Sequence, residues 1–212
     1  MICISIQEKH RGKAISLANT AELAEIRIDL AGFKEKDVEF VFSKTDSSLI
    51  ATCRPEHVDD PTRIALLSTA ITHGAEYVDI EVDADDTVKN AILPLAKQHR
   101  CKVIISYHNY EETPANEVLE SLITDCFNAG ADIAKIATTA QTVQDSARVL
   151  NLYHIKRPLI AIAMGTHGRI TRTANIALGS PFTFAAPSQE TITAPGQLTV
   201  DEIQKMLLPE EI

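Results

Sequence analysis

Two residues stand out for their chemistry. Lys135 sits inside Ala131-Asp132-Ile133-Ala134-Lys135-Ile136-Ala137-Thr138, an otherwise apolar β-rich run. A lysine in such surroundings is desolvated, which lowers its pKa, and nearby Arg27 and Arg54 would lower it further. A neutral amine in a dry pocket is what Schiff-base chemistry requires. The bland alternative is a lysine that snorkels to the rim or pairs with Asp132. His108 closes another run, Ser106-Tyr107-His108-Asn109. A lone histidine at a strand end is often structural. Beside a Schiff-base lysine its proton affinity suits transfer near neutrality.

Further charges share the parity of these positions. Alternate residues of a strand face the same way. Glu25, Arg27 and Asp29 thus oppose Ala24, Ile26, Ile28 and Leu30, and Asp79, Glu81 and Asp83 oppose Val78, Ile80 and Val82. Ile50, Thr52 and Arg54 fall together, as do Ile104, Ser106 and His108, and Ile133, Lys135 and Ala137. Either these are solvent-facing edges with weak ion pairs such as Glu25–Arg27, or the charges converge on one site. A parallel sheet is covered on both faces, which favours convergence. Asp79, Glu81, Glu25 and His108 could also ligate a divalent cation. The interspersed Arg27, Arg54 and Lys135 would oppose it.

The elements that must position these residues recur in order. Strand-like runs cover Ile2–Ile6, Leu23–Leu30, Leu49–Arg54, Tyr77–Val82, Lys102–His108, Ile133–Thr138, Leu159–Met164 and Phe182–Ala186. They begin roughly 20 to 30 residues apart, which suits a strand, a helix and two short loops. Helices are expected from Asp60-Pro61 to Gly74 and over Asp86–Lys97, with Pro94 as a kink or break. Others follow Pro114 through Val118, Leu122 and Phe127, and span Thr139–Leu152 and Val200–Leu207. Eight such units predict one α/β domain, a (β/α)8 TIM barrel over residues 1–212. At about 26 residues per unit it is small for that fold. An open doubly wound sheet would show a glycine-rich turn after its first strand. Here Gln7-Glu8-Lys9-His10 stands in that place. In a barrel, helices cover the outside, so the polar faces point into the lumen and its C-terminal mouth. Gly165-Thr166-His167-Gly168 reads as the turn after strand seven, with a phosphate loop as the weaker alternative.

Composition removes other classes. An apolar fraction of 45% over 212 residues supports a packed core. Lys and Arg number 20 against 29 Asp and Glu, a net charge of −9. Such a chain is poorly suited to nucleic acid or to anionic membranes. Cys3, Cys53, Cys101 and Cys126 form no C-x-x-C pair, which points to a reducing cytoplasm. No apolar stretch is long enough to span a bilayer, and the N-terminal run is too short for a signal peptide.

These pieces together resemble the type I 3-dehydroquinate dehydratases. The resemblance runs from Ile4-Ser5 to Gln197. Its motifs are Glu25-Ile26-Arg27-Ile28-Asp29, Thr52-Cys53-Arg54, Tyr77-Val78-Asp79-Ile80-Glu81 and Ser106-Tyr107-His108. Asp132-Ile133-Ala134-Lys135-Ile136-Ala137, Met164-Gly165, Arg172 and Ala194-Pro195-Gly196-Gln197 complete them. The resemblance implies a lyase of the shikimate pathway that converts 3-dehydroquinate to 3-dehydroshikimate, with no metal and no organic cofactor. Lys135 would form an imine at the C3 ketone, and His108 would act as general base and then acid. Arg172 would clamp the carboxylate. Glu25, Arg27, Arg54 and Gln197 would bind ring hydroxyls, helped by Ser5 and Thr193. Met164 and Phe184 would form apolar walls, and residues 186–195 a lid. The implied partner is the small-molecule substrate, with a homodimer left open.

The chain departs from the family twice. Thr193 replaces a common Ser. Pro55-Glu56-His57-Val58-Asp59-Asp60 stands where an acidic, glycine-containing stretch is usual. Glu56, Asp59 and Asp79 are thus all candidates to support His108. The competing functions are a class I aldolase on a sugar phosphate, a metal-dependent sugar isomerase and a non-catalytic barrel. In the last two βα loops Arg172 and Gln197 favour a carboxylate over a phosphate. Arg27, Arg54, Lys135 and Arg172 would make the mouth locally positive.

Overall fold

The structure, a computed structural model, describes residues 1–207. Its strands are β1 (Ile2–Ile6), β2 (Leu23–Arg27), β3 (Ser48–Thr52), β4 (Tyr77–Glu81), β5 (Lys102–Asn109), β6 (Ile133–Thr139), β7 (Leu159–Met164) and β8 (Thr183–Ala185). All pair in parallel in the order β7-β6-β5-β4-β3-β2-β1-β8. The sheet curls into a nearly closed barrel, and β7 and β8 meet across its lumen through Ile160, Ile162, Phe182 and Phe184. The helices are α1 (Arg11–Ala18), α2 (Ile28–Ala31), α3 (Glu35–Lys44), α4 (Asp60–Thr72), α5 (Asp86–His99), α6 (Asn116–Asn128), α7 (Val143–Asn151), α8 (Thr171–Ala177) and α9 (Val200–Leu207). Among the described residues no helix is long and apolar enough to cross a membrane.

Strand parity sorts the residues as expected. Ala24, Ile26, Val78, Ile80, Ile105 and Ile136 pack outward with the helices. Cys3, Leu23, Ile50, Tyr77, Ile104 and Ile133 fill the lower lumen as a separate apolar layer. The charged residues stand above that plug, at the strands' C-terminal ends.

Several boundaries differ from expectation. β2 stops at Arg27, and Asp29 and Leu30 lie on the one-turn helix α2, which Gly32 ends in a left-handed conformation (φ 67°). Arg54 and Asp83 lie beyond their strands, and Asp83 is exposed. α5 runs unbroken through Pro94. Pro94 and Asn90, whose carbonyl loses its helical donor, are both exposed, so water can take that bond. On α6 the buried face is Leu119, Ile123 and Cys126, and Val118 points outward. α7 starts at Val143 because β6 continues through Thr139 and Thr142 and Asp145 form a capping box.

Candidate active site

The C-terminal mouth holds a cavity at the strand ends, open to solvent on one side. Lys135 projects into it from the middle of β6 and is 6% exposed. Its Nζ lies 2.9 Å from Asp79 Oδ2, 4.0 Å from Glu25 Oε1 and 4.3 Å from the centre of the Phe184 ring. Its closest charged neighbours are therefore two carboxylates rather than the arginines named from sequence. Asp132 is not its partner, because that carboxylate accepts the Val103 amide at 2.7 Å.

Asp79 is fully buried and is shared. Ser106 Oγ donates to Oδ1 at 2.6 Å, and Arg54 Nη2 reaches Oδ2, the oxygen that also meets Lys135, at 3.0 Å. Burial alone would raise its pKa. Arg54, Lys135 and His108 outweigh burial and hold the carboxyl well below the ordinary aspartate range. Arg54 continues outward, its Nη1 2.5 Å from Glu81 Oε1 and 3.0 Å from Ser106 Oγ. Glu25 is fixed by two hydroxyl donors, Ser5 at 2.7 Å and Thr52 at 2.8 Å. Arg27 makes a forked contact to Asp29 at 3.0 and 2.7 Å, which leaves its Nη1 available.

His108 lines the same cavity, and its neighbour on β6 is Ala137, one pleat above Lys135. Desolvation lowers its pKa well below the usual histidine value, and Arg54 and Lys135 add to this against Asp79. Asp79 acts on the ring as a nearby charge, and no hydrogen bond joins the two among the described residues. Asp59 caps α4 by accepting the Thr62 amide at 2.9 Å, and Glu56 is exposed. The aromatic ring of Tyr110 instead stacks over His108, at 6.2 Å and 16°.

The opposite rim comes from the loop after β7 and the segment before α9. Gly168 closes that loop. A Cβ there would sit 2.1 Å from the Ala163 carbonyl oxygen. Thr171 then ties α8 to β7, donating to the Gly168 carbonyl at 2.7 Å and accepting the Ala163 amide at 2.9 Å. This fixes Gly165–Gly168 as a turn and aims the next residue, Arg172, into the cavity. Arg172 is 2% exposed, and its Nε has no partner. Burial, with Arg169 nearby, pushes its pKa down to about 10. Gln197 Oε1 accepts both the Thr193 amide at 2.7 Å and its hydroxyl at 3.0 Å, so the Gln197 NH2 group is left to donate. Met164 and Phe184 supply apolar wall.

All the residues expected to touch substrate thus meet in one cavity, and Asp79 lies beneath it. The expected positive mouth is mostly neutralised, since Arg27, Arg54 and Lys135 face Asp29, Glu81, Asp79 and Glu25. Arg172 is the cation that no carboxylate offsets among the described residues. Tyr110 and Arg63 were not singled out as site residues, and Glu81 only as a possible cation ligand. Tyr110 has the parity of His108, and Glu81 that of Asp79. Arg63 is signalled only as a charge on the apolar face of α4, in line with Leu66, Leu67 and Ala70.

The family model for type I 3-dehydroquinase matches residues 2–210. The chain belongs to the type I 3-dehydroquinase family. The 3-dehydroquinate dehydratase of Pyrococcus abyssi is 33% identical over 200 residues, covering 90% of this chain and 88% of that protein. That of Methanococcus maripaludis strain C7 is 35% identical over 222 residues and 98% of each chain. Among solved structures, the type I 3-dehydroquinate dehydratase of Clostridium difficile, with covalently modified comenic acid, has a TM-score of 0.85 at 27% identity. That match covers 96% of this chain and 89% of that one. This type I 3-dehydroquinase is a hydro-lyase acting on 3-dehydroquinate in the shikimate pathway.

Proposed function

We propose that the dehydration runs through a lysine imine. The observation that carries this reading is the buried Lys135 side chain and His108 lining one cavity at the barrel mouth. His108 relieves Lys135 of a proton, and the amine attacks the substrate's C3 carbonyl with loss of water. The resulting iminium withdraws electrons and acidifies the adjacent C2–H. His108 removes that proton, the C1–O bond breaks, and the imidazolium returns a proton to the departing hydroxyl. Water then hydrolyses the imine and frees Lys135.

Binding follows from the unfilled valences. Arg172 meets the carboxylate with its unpaired guanidinium. The Gln197 amide, Arg27 Nη1, Arg54 and Glu25 face the ring hydroxyls. Ser5 and Thr193 spend their hydroxyl protons on Glu25 and Gln197, so they hold those groups in place. Thr193 and Ala194 already lie over the cavity, and residues 186–195 act as a lid that excludes water. The work is done in the cytoplasm, where the four buried cysteines stay free thiols. One chain supplies every group named here, so the chemistry is complete in one subunit.

The testing variant is His108→Ala. It should still form the imine, seen as a borohydride-stable mass increase with 3-dehydroquinate, while kcat falls about 10²- to 10⁴-fold. Near wild-type turnover in this variant would remove His108 from its role.

A further inference from the structure

Arg63 lies outside the cavity on α4, yet it is 1% exposed. Its Nε donates to the Cys53 carbonyl at 2.9 Å, its Nη1 to Asp60 at 2.9 Å, and its Nη2 is ion-paired with Glu81 Oε2. From there a single file of alternating charge runs to the amine: Arg63, Glu81, Arg54, Asp79, Lys135. Its last junction is shared, because Asp79 Oδ2 faces both Arg54 and Lys135. The more firmly Arg54 holds that oxygen, the less of its charge is left for the lysine ammonium. Burial of such a chain is costly and seldom favoured for stability alone.

We propose that Arg63 is a positioning residue that sets, through Glu81, Arg54 and Asp79, how readily Lys135 gives up its proton. This rests on the reading of Lys135 as the nucleophile. With Arg63 in place, Glu81 divides its attraction between two guanidiniums, and Arg54 stays on Asp79. Without it, Glu81 draws Arg54 away, and Asp79 grips the ammonium harder. The other charges around the file are Glu25 on β2 and His108 on β5 facing Lys135. Asp60 faces Arg63, and the Arg27–Asp29 pair lies beside Cys53. None of these bridges Arg63 to the amine.

The test is the pH dependence of Lys135 trapping by 3-dehydroquinate and cyanoborohydride, read by intact mass. The rate rises with pH as the amine becomes neutral. In Arg63→Gln this acid limb should move to higher pH, with trapping on the limb roughly three- to tenfold slower. In Glu81→Gln, which commits Arg54 to Asp79, the limb should move to lower pH. Arg63→Lys, which keeps the charge, should restore the wild-type limb. Arg63 and Glu81 do not line the cavity, whereas Arg54 does, so any change in KM reports Arg54 moving at the ring hydroxyls, and the opposite shifts of the limb decide. A purely structural role lowers amplitude without opposite shifts, and unmoved limbs would overturn the inference. Should Arg63→Gln fail to fold, Glu81→Gln alone decides, and a limb unmoved or raised refutes it. Wild-type protein that is not trapped at all removes the nucleophile reading together with this one. Trapped wild type with static limbs removes this one only.

Discussion

Replacing Arg172 with methionine should make the empty protein more stable while nearly abolishing substrate binding. The guanidinium is buried, its Nε has no partner, and Arg169 is the charge acting on it. A group held at about 10 instead of 12.5 carries an energetic penalty on its charged form. At 1.36 kcal/mol per tenfold change in proton affinity, that penalty is about 3 kcal/mol. Its folded pKa lies below its unfolded one, so for this base the penalty is fully present at pH 7. It fades only as pH rises past about 10. Methionine removes the charge but fills less of the site, which offsets part of the gain. The net expectation is about 1 to 3 kcal/mol of stabilisation, or roughly 2–12 °C in Tm for a chain of this size. Losing a charged, forked contact to the carboxylate should raise KM about a hundredfold or more. Thermal melts without ligand and steady-state assays of the conjugated enone product measure the two effects. An Arg172→Met protein that melts below wild type, or keeps its KM, would refute the reasoning.

Two other substitutions probe the frame of the site. Asp79→Asn leaves Arg54 and Lys135 underpaired and should cost about 3–5 kcal/mol in urea denaturation. Because the Asp79 carboxyl titrates far below its unfolded value of about 3.9, its contribution is complete above about pH 5. It is lost as pH falls below about 4, so the gap between the two proteins should narrow only there. A gap under about 1 kcal/mol at pH 7, or one that varies between pH 5 and 8, contradicts this. Gly196→Ala puts a Cβ 2.4 Å from the Gly165 carbonyl oxygen at a φ of 70°. It should cost at least about 1 kcal/mol and displace Gln197 and Thr193, lowering kcat/KM. Unchanged kcat/KM would show that this close approach does not position the rim.

Much of this arrangement can be read from the strands alone. Parity places Glu25, Asp79, Ser106 and Lys135 inside because each strand is parallel and flanked by helices. What parity cannot supply is the pairing across strands. Asp79 pairs with Lys135 because β4, β5 and β6 are staggered neighbours, and that stagger is a property of barrel closure. Parity therefore leaves Asp79 as one of three candidates to support His108 and gives no sign of its contact with Lys135. The His108 contact that exists comes from Tyr110, which keeps the parity of His108 one residue past the end of β5 but has no chemistry of its own to single it out. Short pieces such as α1, α2 and α8 also escaped. Their lengths fit few periods, and α8 is defined by a glycine turn and one threonine rather than by an apolar stripe. Arg63 was hidden in a helix that otherwise follows the amphipathic rule.

The central claim is that Lys135 bonds covalently to the substrate. Borohydride reduction in the presence of 3-dehydroquinate, followed by peptide mapping, tests it directly. One ligand should be found per chain, on the peptide carrying Lys135, and none in Lys135→Ala. A protein that turns over substrate but remains unmodified, or an adduct that survives in Lys135→Ala, would contradict the account.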